Sequence, residues 1–169
     1  MNKIKNNELI LYNKILFLSR NKLFYTKLSL TDTFHNRVYL IFFHISFLLI
    51  KLKLQKKSLI YKDFSQNLFD LTFKQIEINM RENGFGDVTV NKNMKILVKQ
   101  FYSLLVECEN YDSLSLNSKN LLFSKFLTYK SNYKEHNNAG IVDYFDKYKA
   151  FCFDLNPDSV IENILIFNY

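Results

Sequence analysis

From residue 34 to residue 54 the chain carries apolar side chains on almost every side of a helix. Phe34, Val38, Ile41, Ile45, Leu48 and Leu52 keep the four-three spacing of one helix face, and Leu40, Phe43, Phe47, Ile50 and Leu54 keep it on a second. A helix apolar nearly all round belongs either at the centre of a protein core or in a lipid bilayer. Its uninterrupted part, 38–50, contains His44 and Ser46 and is bracketed by Arg37 and Lys51. A bilayer span needs about 20 apolar residues, so the stretch reads as a core helix around which the rest of the chain must pack. One narrow polar stripe remains, because Arg37, His44 and Lys51 recur every seven residues. Paired to its surroundings that stripe is structural; left open, it is a binding line.

The surrounding elements are helical by exclusion. Three glycines and one proline in 169 residues are too few for an all-β fold, which needs a turn about every 8–12 residues. Hydrophobic residues at 48% and aromatics at 17% exclude disorder. The expected fold is all-α: one compact domain over 1–169, a bundle of about six to seven helices around the hydrophobic helix at 34–54. A first helix is expected over 7–20, then a connector over 22–31 whose Leu23, Phe24, Tyr25 and Leu28 should dock on the body. Thr31, Asp32 and Thr33 supply N-cap chemistry for the central helix.

After a basic link over 55–58, a third helix runs over 60–83, with Asp70–Lys74 and Glu77–Arg81 in favourable i,i+4 order. A fourth spans 92–109. It buries Met94, Leu97, Val98, Phe101, Leu104 and Leu105 and presents Lys92, Lys95 and Lys99 on another face. A polar loop over 110–118 leads to a fifth helix over 119–131, and a polar link over 131–138 to a sixth over 140–154. Asn156-Pro157 reads as an N-cap followed by proline at the first helical position, opening a short last helix that fades into 164–169.

Two of the three glycines, Gly84 and Gly86, sit between the third and fourth helices. A helix that needs a left-handed residue just past its end most often takes glycine. Residues 80–85 read as such an end, with Gly84 at C′, Phe85 at C″ and Met80 at C3. Asp87, Thr89 and Asn91 offer turn and N-cap chemistry for the next helix.

The residue sets that carry catalysis are missing. His35, His44 and His136 show no HxxxH spacing, and Cys108 and Cys152 lie far apart, which fits a reduced intracellular compartment. Gly84-Phe85-Gly86 lacks the third glycine of a dinucleotide fingerprint and follows a helix rather than a strand. No catalytic residue, metal, cofactor or small-molecule substrate is expected. Binding is expected instead. The net charge of +7 suits anionic lipid, a ribosome surface or nucleic acid, although heavy use of Lys, Asn, Ile, Phe and Tyr together also follows from AT-rich coding. No helix–turn–helix or RNA-recognition signature accompanies the charge, so specific DNA binding is not expected. Tyr25, Tyr39, Tyr102, Tyr129 and Tyr133 are candidate interface anchors.

Several separated pieces agree with one family. Phe24-Tyr25, then residues 30–34 with Arg37, then His44, Leu48-Leu49 and the basic Lys51 and Lys53 resemble the opening of the ubiquinol–cytochrome c chaperone family. Phe69-Asp70 with Phe73, residues 80–87, Val90, Lys92, Lys95 and Phe101-Tyr102 resemble its central signature in order and interval. The similarity covers about 12–131, and 132–169 is expected to be a helical extension of the same domain. The sequence departs from the family's usual Gly-Arg after Phe-Tyr with Ser103-Leu104, and its fifth helix is richer in Phe and Lys.

The resemblance implies an all-α, non-enzymatic assembly factor that handles newly made cytochrome b for the cytochrome bc1 complex. It implies further contact with the ribosome or the inner-membrane surface. With the domain beginning almost at Met1, the expectation is a bacterial protein, cytoplasmic and peripheral at the inner membrane, with the mitochondrial matrix side as the alternative. Arg81, Gly84, Gly86, Asp87, Lys92 and Lys95 are the partner-binding residues expected on this basis, with Arg37 and His44 beside them. The alternative function is a basic helical module docking to membrane or ribosome for another purpose.

Overall fold

The structure is a computed structural model that describes residues 2–55, 59–130, 139–162 and 166–169, with side chains from residue 7 onward. Among these residues the order is α1 (Asn2–Ser19), α2 (Leu23–Thr26), α3 (Phe34–Lys53), α4 (Leu59–Glu82), α5 (Asp87–Glu109), a 3-10 turn (Tyr111–Ser113), α6 (Leu116–Phe126), α7 (Ala139–Asp154) and α8 (Pro157–Ile161). The fold is an all-α bundle, as expected, with two short helices added to six long ones. The expected link at 56–58, the link at 131–138 with Tyr133 and His136, and residues 163–165 of the fading last helix lie outside the described residues.

The central helix is where the sequence puts it. Fourteen of the twenty residues of α3 are buried, and α1, α4, α5, α7 and α8 all pack on it. Thr33 caps its start, accepting from the Asn36 amide at 3.2 Å. Phe43 meets Phe123 of α6 at 4.8 Å and Phe145 of α7 at 5.3 Å between ring centroids, and those two stack at 5.1 Å. Each such ring contributes about 1.5–3 kcal/mol on full burial, which makes this aromatic centre a main fastening of α6 and α7. Among the described residues no helix is long and apolar enough to cross a membrane.

The connector docks as its composition requires, with Phe24 and Leu30 fully buried and only α2 as regular structure. The helix over 119–131 needs correction. It starts earlier, at Leu116, where Ser115 accepts from the Ser118 amide at 3.2 Å, and it stops at Phe126. The chain then runs extended beside residues 29–31: Thr31 N–H donates to Thr128 O at 3.0 Å and Lys130 N–H to Ser29 O at 2.9 Å, around an isolated bridge between Leu30 and Tyr129. Asn36, fully buried, holds both segments. Its Nδ2 donates to Thr31 O and Thr128 O, each at 2.7 Å, and its Oδ1 accepts from the Thr128 amide at 2.9 Å. A tertiary partner thus satisfies backbone groups that a longer helix would have paired locally.

The glycine turn closes α4 as the sequence predicts. Gly84 has φ +84°, its amide donates to Arg81 O at 2.9 Å and the Phe85 amide to Met80 O at 3.2 Å, the two bonds of a Schellman end. The next helix, expected from Lys92, begins at Asp87. Its N-cap is Gly86, extended at φ −67°, ψ 156° and without a side-chain cap bond. Asp87, Thr89 and Asn91 therefore lie inside the helix rather than before it. Buried Val90 anchors the first turn, and the Asp87 carboxylate faces the positive end of the helix dipole. Of the two expected ion pairs on α4, Glu77–Arg81 forms, while Asp70 takes Gln66 Nε2 at 2.9 Å in place of Lys74. At the C-terminal end Asn156 accepts from the Asp158 amide at 3.1 Å and Pro157 opens α8, as predicted.

Candidate functional site

The α4–α5 hairpin gathers most of the sequence-predicted residues at its tip. Arg81 donates to Glu77 Oε1 through Nε at 3.2 Å and Nη2 at 2.9 Å, and through Nη1 to Asp87 Oδ1, so it bridges the end of α4 to the start of α5. The two carboxylates raise the guanidinium pKa, Asp87 first. Gly84, Gly86 and Asp87 are exposed beside it, with Val88 at 84% exposure. Phe85 leans back, its ring 6.4 Å from Phe34 at the head of α3. Lys92 and Lys95 follow on the first turns of α5, exposed and without an ion-pair partner among the described residues, as is Lys99.

The seven-residue polar stripe of α3 is partnered along its whole length. Exposed Arg37 clamps Asp32 with two bonds, 2.7 and 2.9 Å, and through them holds the Asp32 carboxyl below the usual range. Lys51 Nζ donates to Phe153 O of α7. His44 has no exposed atom. Its Nδ1 lies 2.6 Å from Leu40 O, which can only accept, so Nδ1 carries the proton and Nε2 accepts from the Tyr144 hydroxyl at 2.8 Å. Burial pushes the His44 pKa down to about 4, against a smaller upward pull from the Leu40 bond. The stripe ties α3 to its neighbours. Arg37 and His44 are not brought together, and no surface route reaches His44.

A second feature of the same hairpin has only one residue, Tyr102, that the sequence marks as an interface anchor. Between the end of α3, the first half of α4 and the last half of α5 lies a groove of about 520 Å³. Leu49 and Leu52 of α3, Phe69 of α4, and Phe101, Tyr102 and Leu105 of α5 line it. Phe101 is buried, whereas Tyr102 is 53% exposed. Of its charged lining residues, Lys53 pairs with Glu109, and exposed Lys62 has no ion-pair partner among the described residues. Leu54 and Ile60 extend the apolar surface beside it, at 56% and 62% exposure. No local pattern marks this groove, because it exists only where three separate helices converge.

The groove and the hairpin tip share one line of side chains. Val88, Lys92, Lys95, Lys99, Tyr102 and Val106 follow the four-three spacing along α5, and all are exposed. From Gly86 to Tyr102 the helix rises about 24 Å. Of the other candidate anchors, Tyr39 is buried and donates to Gln100 Oε1 of α5. Among the described residues no group of three His, Cys, Asp or Glu side chains is placed to hold a metal. What the surface offers here is exposed apolar area beside exposed lysines that have no ion-pair partner among the described residues.

The sequence model of the ubiquinol-cytochrome C chaperone family matches residues 26–113, just over half of the chain. The chain belongs to this family. The matched segment runs from the end of α2 to the 3-10 turn and contains both the hairpin tip and the groove. No curated protein sequence matches the chain. The fold of this family member is shared with a crystal structure of the Cbp3 homolog from Brucella abortus, at a TM-score of 0.80 and 20% identity, covering 95% of this chain and 87% of that one. That likeness extends the common architecture to the helices beyond residue 113.

Proposed function

We propose that this chain is a non-enzymatic chaperone that binds newly made cytochrome b and promotes assembly of the cytochrome bc1 complex. Membership of the ubiquinol-cytochrome C chaperone family carries the reading. The surface is in keeping with it: an apolar groove for hydrophobic chain, and cations fixed on one helix beside it. The chain works as one helical unit over 1–169, at the cytoplasmic face of the inner membrane of a bacterium. Arg81, Asp87, Lys92 and Lys95, exposed at the hairpin tip, meet the client or its surroundings, and Arg37 stands exposed on the neighbouring α3. Deleting the gene in its host should abolish assembled bc1 complex, and the tagged protein should recover cytochrome b from its own membranes. Normal levels of bc1 complex in the deletion strain would sink the reading.

A second reading rests on the unpaired Lys92, Lys95 and Lys99 with exposed Val88 at their head. It makes α5 a docking face for anionic lipid or ribosomal RNA, worth about 1 kcal/mol per lysine near a charged membrane surface. Co-sedimentation with anionic vesicles or ribosomes at low salt and release at high salt supports it. Absence of binding at low salt removes it.

A further inference from the structure

We infer that the groove between α3, α4 and α5 is the seat of an apolar α-helical segment of the client, with an acidic residue at its end lying against Lys62. This deepens the chaperone reading above and rests on it.

Backbone chemistry selects a helix as the occupant. All three walls are helices, whose N–H and C=O groups are already paired within themselves, so an extended peptide would bury its own backbone groups without partners. A helix brings its hydrogen bonds with it and needs from the groove only apolar contact. The dimensions agree. The stretch of α4 that lines the groove, from Leu59 to Phe69, is about 15 Å long. That is about ten residues of a helical occupant, or half of a membrane-spanning segment of about 20. Exposed Leu54 and Ile60 broaden the apolar area beyond the cavity, which suits a helix about 10 Å across.

Charge selects the flank. The lining carries Lys53 and Lys62 against Glu109, and the Lys53–Glu109 pair leaves Lys62 without an ion-pair partner among the described residues. Lys99 stands one turn before Tyr102 on α5 and adds to the positive field. An acidic residue or the negative C-terminal end of the incoming helix is favoured there, and a lysine is repelled.

The test uses the full chain and a fluorescent synthetic helix of about ten Leu and Ala residues, ended by either two glutamates or two lysines, with affinity read by anisotropy. The glutamate-ended helix should bind at least tenfold tighter than the lysine-ended one. Tyr102→Asp should weaken it at least tenfold, Lys62→Glu should reverse the preference between ends, and Leu121→Asp on the exposed side of α6 should change nothing. Tyr102, Lys62 and Leu121 are all exposed, and circular dichroism checks that each variant remains folded. Equal binding by wild type and Tyr102→Asp would overturn the assignment. So would dodecanoate entering the groove while both helices stay out, which makes it a site for hydrocarbon chain.

A second arm measures capture of newly made cytochrome b in the host. Capture by Tyr102→Asp at the wild-type level overturns the groove and leaves the chaperone reading standing. If the wild type captures no cytochrome b yet holds the glutamate-ended helix in the groove, the reading falls and the groove's preference for an acid-ended apolar helix stands.

Discussion

The imidazole of His44 accepts a hydrogen bond from the hydroxyl of Tyr144 at 2.8 Å, a contact between the centre of α3 and the first half of α7 in which neither side chain touches water. Tyr148, one turn further along α7, donates to the His44 carbonyl at 3.2 Å, and the Phe24 ring stands 6.2 Å away. Burial favours the neutral imidazole, because a charged ring would give up its hydration with only a backbone carbonyl and a phenol hydrogen-bonded to it.

Stability should therefore fall with acid in a defined window. The folded-state pKa of about 4 lies below the unfolded value near 6.5, so the unfolded chain gains a proton first. The contribution of neutral His44 is full above about pH 6.5 and is lost as pH falls toward 4, a total of roughly 3 kcal/mol. Partly desolvated His35 acts in the same direction. Urea denaturation across this range should show the loss in wild type and a flatter profile in His44→Leu, which is less stable at pH 7 because the buried Tyr144 hydroxyl loses its acceptor. A His44→Leu profile as steep as wild type would place the titration elsewhere.

Asn36→Ala should destabilise by about 2–3 kcal/mol, since four hydrogen bonds end on a buried side chain and two of their partners are backbone groups of Thr128. Hydrogen exchange gives the site-specific readout. The Thr128 amide, whose acceptor is Asn36 Oδ1, should lose protection far more than amides in the middle of α4.

The two hairpin glycines should behave oppositely. Gly84 holds φ +84° with open space where a Cβ would stand, so Gly84→Ala costs about 1–2 kcal/mol from the backbone alone. Gly86 caps α5 from an ordinary extended conformation, and Gly86→Ser should add a few tenths of a kcal/mol by supplying the missing cap bond. Thermal melts of the two variants should move in opposite directions from wild type.

Neither thiol should react in the native protein. Cys108 and Cys152 are both buried and unpaired. Burial pushes the Cys152 thiol up to about 12 and raises Cys108 as well, leaving almost no thiolate at neutral pH. Ellman's reagent should find no fast-reacting thiol at pH 7.5 and two after addition of denaturant.

Much of this architecture was legible because it is local. The face spacing of α3, the Schellman end at Gly84 and the Asn156-Pro157 start each depend on residues within one or two turns. The start of α5 was misplaced because its cap is a glycine, which announces nothing, while Asp87, Thr89 and Asn91 look like caps from inside the helix. The end of α6 was misplaced for the opposite reason: Leu127 and Thr128 leave the helix for a partner, Asn36, nearly a hundred residues away. At the candidate site, Tyr102 was visible as an aromatic on a charged helix. The walls that give it a groove come from α3 and α4, whose convergence no spacing within α5 encodes.

The pairing of residues 29–31 with residues 128–130 also sets a timetable. Thr31 and Thr128 are 97 residues apart, and everything between them, α3 to α6, must emerge before they can meet. At about 5–20 residues per second of synthesis, the N-terminal segment waits roughly 5–20 s with the polar end of α3 unsatisfied. By that order of emergence α3, α4 and α5 are available to pack before the seam between residues 30 and 129 can form, and α7 and α8 come after it.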